Sequence, residues 1–138
     1  MAHLQRAVAT LRIAGDDLLP DEVSDLLGAR PTTSHAKGQE LNFHSDRSRI
    51  IKCGIWHLSA TDTQPENLDS QVAEILGQLT GDLPVWRSLG KRFDIDLFCG
   101  WFLGGSNEGV EISPHTLLAL GERGIRLGLD IHGPDADA

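Results

Sequence analysis

From Arg92 to Phe102 the chain alternates without a break, with Phe93, Ile95, Leu97, Cys99 and Trp101 on one side and Arg92, Asp94, Asp96, Phe98 and Gly100 on the other. A period of two is the period of a β-strand, because successive side chains leave opposite faces of the pleat. This strand therefore has one apolar face and one polar face. The centre of a doubly wound parallel sheet is apolar on both sides, so the pattern argues for a sheet with one open face instead. The first strand, Ala7–Ala14, alternates in the same way, with Ala9, Leu11 and Ile13 opposed to Thr10 and Arg12. A final strand over Ile125–His132 would bury Ile125, Leu127, Leu129 and Ile131. Ile50–Ala60 is rich in β-branched and aromatic residues and reads as a further strand, with a facing that its mixed pattern leaves open.

Helices are expected between these strands. Pro20, with Asp21 and Glu22 behind it, suits a helix start, Val23, Leu26 and Leu27 form its apolar stripe, and Gly28 ends it. Leu68, Val72, Ile75, Leu76 and Leu79 mark a helix over 66–81, stopped by Asp82 and Pro84. Ser113 and Pro114 open another, closed between Gly121 and Gly124. The order is βαβ, helix, βαβ. Two such units commonly interleave, so the predicted fold is α+β: a ferredoxin-like four-stranded antiparallel sheet, strands one and three in the middle, with an extra helix between the units. Where that helix sits decides whether the polar face is open.

The 138 residues suit a single domain spanning 1–138, with 31–49 a long polar surface loop and 133–138 a loose tail. Twelve Lys and Arg stand against twenty Asp and Glu, a net charge of −8, which disfavours nucleic acid and anionic membrane as partners. Two isolated cysteines, Cys53 and Cys99, read as buried side chains in a reducing compartment. The N-terminus lacks a signal-peptide pattern, and the longest charge-free apolar run, Leu97–Leu103, is too short to cross a bilayer, so a cytoplasmic protein is expected.

LRIAG, LLGARPT with KGQ beyond it, GIWHLS and LGLDIH, in that order, resemble a bacterial family catalogued as domain of unknown function 4279. Its pattern runs from an LRI-type strand through a helix ending in Gly, then Pro-Thr, a Lys-Gly loop and a Gly-x-Trp strand to an Asp-Ile-Tyr-type strand. Arg12, Gly28, Pro31, Thr32, Lys37, Gly38, Trp56, Asp130 and Ile131 carry the resemblance. His132 stands where the pattern favours Tyr, so a role that needs a phenol does not carry over. The resemblance implies a family without an established activity and transfers no catalytic residue.

The candidate ligand or partner surface is Arg12, Trp56, Asp94, Asp96, Asp130 and His132, joined by Arg92, Arg126 and Lys52 on the polar face. Charges of both signs on neighbouring strands can pair with one another or orient a polar partner. A second candidate is an anion loop of Lys37, Gly38, Arg47 and Arg49, in a stretch with five basic residues against two acidic ones. The six histidines have no metal-ligand spacing, and no cofactor loop is present, so neither metal nor cofactor is expected. These features favour a noncatalytic binding or protein-interaction domain, with a second copy or another protein as partner. The alternative is a small enzyme with a polar pocket near Arg12, Asp94 and Asp130.

Overall fold

The computed structural model describes residues 6–42, 48–50, 52–63 and 66–134. Among the described residues, seven strands and four helices follow one another as β1 (Arg6–Gly15), α1 (Pro20–Leu27), β2 (Thr33–His35), β3 (Glu40–Asn42), β4 (Ser48–Ile50), β5 (Gly54–Ser59), α2 (Leu68–Leu76), α3 (Leu83–Arg92), β6 (Asp94–Phe102), α4 (Pro114–Glu122) and β7 (Arg126–His132). Five strands form one mixed sheet in the order β2-β5-β1-β6-β7, and β3 pairs with β4 apart from it.

This corrects the ferredoxin-like expectation. In that fold the second strand runs parallel to the first and lies beyond the third. Here β5 lies directly beside β1 and antiparallel to it, with Gly15 opposite Gly54 and Ile13 opposite Trp56. The long β1–β5 connection is therefore a return rather than a crossover, and it lays down β2 at the sheet edge. Only β6 and β7 are parallel in this sheet, and α4 bridges them as a parallel pair requires. Strands one and three, β1 and β6, do lie side by side and antiparallel near the middle. The stretch 31–49, expected as loop, carries β2, β3 and β4.

The alternation in sequence becomes a two-sided layer. Ala7, Ala9, Leu11 and Ile13 of β1, Trp56 and Leu58 of β5, and Ile95, Leu97, Cys99 and Trp101 of β6 are buried in one cluster with Val23, Leu27, Leu68, Val72, Ile75, Trp86, Leu89 and Leu120 from the helices. All four helices thus share one face of the sheet. The opposite face, with Thr10, Arg12, His57, Asp96 and Phe98, is left half-buried and, among the described residues, free of helix.

Local chemistry sets the helix ends. Pro20 sits in the first turn of α1, and Gly28 ends that helix at φ +82°, a left-handed conformation that a Cβ disfavours. Asn67 caps α2 by accepting from the Ser70 amide at 3.1 Å, and Ser113 caps α4 by accepting from the Thr116 amide at 3.2 Å. The two helices are tied together by Asp69, whose carboxylate accepts from the Thr116 hydroxyl at 2.6 Å and from the Ser113 amide at 3.1 Å. Those hydrogen bonds, Thr116 foremost, hold the Asp69 pKa below its ordinary value.

The single helix expected over 66–81 ends at Leu76, and α3 follows where none was expected. Pro84 reads as a stop signal, yet it lies in the first turn of α3, where a missing N–H leaves no hydrogen bond unmade. The described residues contain no helix long and apolar enough to cross a membrane.

Candidate functional site

Strand register assembles the open face into rows, since paired residues on neighbouring strands point the same way. One row crosses all five strands of the sheet: Thr33, His57, Arg12, Asp96 and Arg126. On one side of it lie His35, Ile55, Ala14 and Asp94, and on the other Ser59, Thr10, Phe98 and Gly128. The Thr10 and Ser59 hydroxyls, directly across from each other, hydrogen-bond at 2.9 Å.

Arg12 and Asp96 form the centre of the row. Arg12 Nε donates to Asp96 Oδ1 at 2.8 Å and Arg12 Nη2 to Asp96 Oδ2 at 2.6 Å, a two-pronged contact matched to guanidinium geometry. The guanidinium also lies 4.6 Å from the centroid of the Phe98 ring, which steadies it from below. The hydrogen bond to Asp96 raises the Arg12 pKa above its ordinary value despite partial burial. Arg12 Nη1 makes none of the hydrogen bonds among the described residues.

His57 is half-buried beside this pair. Burial first, and then the positive charge of Arg12, push its pKa below the ordinary 6.5, so the imidazole is neutral near pH 7 and offers one donor and one acceptor. The unfolded chain binds that proton more readily than the folded one. The stability linked to His57 is therefore full above the unfolded pKa and lost as the pH falls below it. Urea unfolding between neutral pH and about pH 5 is expected to show a shallower acid loss in His57→Gln than in the parent chain; equal slopes would place His57 outside this linkage.

Arg12, Ala14, Ile55, His57, Asp94, Asp96 and Arg126 line a concavity of about 320 Å³. Asp94 and Arg126, both exposed, make no ion pair among the described residues. The concavity thus offers both charge signs beside a satisfied central pair.

The other sequence candidates fall elsewhere. Trp56 is not on the surface: it is fully buried on the helix side of β5, where Nε1 donates to Ser24 Oγ at 3.0 Å. That facing sends His57 to the open face, which the phase of Trp56 and Leu58 could have signalled. Asp130 registers opposite Gly100, away from the concavity, and its Oδ2 lies 3.1 Å from His132 Nε2. The His132 ring stacks on Phe102 at 4.6 Å between centroids. Arg92 ends α3 and donates to Glu22 at 2.7 Å, and Lys52 lies outside β5.

The residues of the anion loop are described only in part. Lys37 pairs with Asp16 at 3.3 Å, Gly38 adopts φ +86°, Arg49 lies on β4 opposite Leu41, and Arg47 is outside the described residues. Cys99 is buried on the apolar side, where desolvation pushes its thiol pKa up to about 12. Cys53 is half-buried and precedes β5 rather than lying within it. Among the described residues no cluster of three His, Cys, Asp or Glu could hold a metal ion.

A family model described as a domain of unknown function (DUF4279) matches residues 5–134, a stretch that runs from β1 through β7. No curated protein and no solved structure matches the chain.

Proposed function

The chain belongs to the DUF4279 family, whose description names no activity, and from that premise we propose that it is a noncatalytic recognition domain whose open sheet face binds a small polar group bearing both charges. The observation that carries this reading is the concavity around the Arg12–Asp96 pair. In this reading Asp94 takes an ammonium group, and Arg12 and the neutral His57 donate to a carboxylate or phosphate. Because Asp96 already holds Arg12 at two points, the guanidinium is oriented before a ligand arrives, which reduces the ordering cost of binding.

Among the described residues its lining contains a histidine and two carboxylates but no hydroxyl or thiol nucleophile. An enzyme built on Arg12, Asp94 and Asp130 has less support, because Asp130 registers opposite Gly100 and does not line the concavity.

Amide resonances followed while the chain is titrated with free α-amino acids, and separately with inorganic phosphate, test the reading. Shifts confined to His57, Asp94, Asp96 and their row neighbours are expected, and Asp94→Ala is expected to weaken amino-acid binding about tenfold. Resonances unmoved by both probes at millimolar concentration would end it.

A further inference from the structure

We propose that two copies of this chain associate along β7, antiparallel about Gly128, so that their sheets join into one. The outer side of β7 is the end of the sheet. The Leu103 amide donates to the His132 carbonyl at 2.9 Å, so His132 turns its backbone polar groups toward β6. By strict alternation Asp130, Gly128 and Arg126 do likewise, and Leu127, Leu129 and Ile131 present their N–H and C=O groups outward. Such a row is a template for another strand, and β7 carries neither the proline nor the lysine that commonly blunts an edge.

The side chains specify the occupant. β7 opens with Arg-Leu-Gly-Leu-Asp, a sequence complementary to itself when reversed. Antiparallel pairing about Gly128 sets Arg126 opposite the partner's Asp130, Leu127 opposite the partner's Leu129, and Gly128 opposite the partner's Gly128. The outward amides of Leu127 and Leu129 then form the hydrogen-bonded pairs. Arg126 and the partner's Asp130 form the closer, non-hydrogen-bonded ones. Shifting the centre to Leu129 would put Arg126 beside the partner's His132 and Asp130 beside the partner's Gly128, which forfeits both charge matches.

Within one protomer Arg126 makes no ion pair among the described residues. On the helix side, Leu129 is 45% exposed and Ile131 53% exposed. Leu117 of α4 is also exposed. It lies on the flank turned away from α2, because Thr116, Ala119 and Arg123 form the flank that meets α2. Together these leucines and the isoleucine supply the apolar cover that a single pair of edge strands lacks.

Sedimentation of the full chain tests the proposal. The parent chain is expected to be dimeric. Arg126→Asp and Asp130→Arg each place like charges opposite one another, so each is expected to weaken the dimer by at least about tenfold, and the double variant R126D/D130R is expected to restore it. Leu129→Lys, at an exposed position that leaves the protomer core intact, is expected to give monomer, with circular dichroism reporting the fold of every variant. A monomeric parent chain, or a dimer unaffected by the single charge reversals, would overturn the β7 contact. Failure of the double variant to recover would overturn the register about Gly128.

Discussion

Trp56→Ala is expected to lower the free energy of unfolding by about 3–5 kcal/mol, the range for truncating a large buried aromatic side chain. Trp56 is fully buried, and it stands opposite Ile13 on one side and Ser34 on the other. Its indole N–H holds the Ser24 hydroxyl of α1 at 3.0 Å, so the residue fastens that helix to the sheet. Truncation removes the apolar contacts, opens a cavity and leaves the Ser24 hydroxyl without its partner, and the effects act in the same direction. Domains of this size are commonly stable by only about 5–15 kcal/mol, so the variant should be marginal. Trp56→Phe keeps most of the volume and loses mainly the hydrogen bond, with an expected cost of about 1–2 kcal/mol. Urea unfolding of both variants checks the argument; a loss below about 1 kcal/mol for the alanine variant would show that α1 does not depend on this residue.

The same tryptophan shows how far the sequence can be read. The strands β1 and β6 are legible because each alternates over its whole length, and that alternation also gives correctly which side is buried. Ends marked by local chemistry are legible as well: Pro20 and Gly28 for α1, Ser113 and Pro114 for α4. In β5 the phase is obscured because the apolar run begins before the strand does. With Trp56 wrongly placed on the open face, His57 goes unrecognised beside Arg12. The direction of β5 is a non-local property, decided by how the chain returns after α1, and no periodicity within either strand encodes it. Leu129 and Ile131 of β7 fail for another reason: a shared face is written in the spacing, but whether anything covers that face is not. Leu129 and Ile131 obey the strand period and are exposed at the sheet edge. A charge count along one stretch also does not see partners on other segments, as the pairing of Lys37 with Asp16 illustrates.

The return of β5 beside β1 makes a sharp demand at Gly54. A Cβ there would stand 2.8 Å from the Gly15 carbonyl oxygen, 2.9 Å from the Leu18 carbonyl oxygen and 3.0 Å from Leu18 Cβ. The two oxygens belong to the backbone of the last residue of β1 and of the turn that follows it, where Leu18 also donates its amide to the Gly15 carbonyl at 3.3 Å. No side-chain rotation relieves the contact, so the β1–β5 register or the turn itself must move. Gly54→Ala is therefore expected to cost about 1–3 kcal/mol, the range for forcing atoms into a filled site, and Gly54→Val more. Gly100 is the internal control. It lies in β6 on the open face, and a Cβ there meets nothing closer than 3.8 Å. Gly100→Ala restricts the unfolded chain without a clash, so it is expected to leave stability unchanged or raise it by about 0.4–1 kcal/mol. Paired denaturation curves decide the point: equal losses at the two glycines would mean that the cost comes from strand backbone entropy, whereas a loss confined to Gly54 ties it to the packing that sets β5 antiparallel to β1.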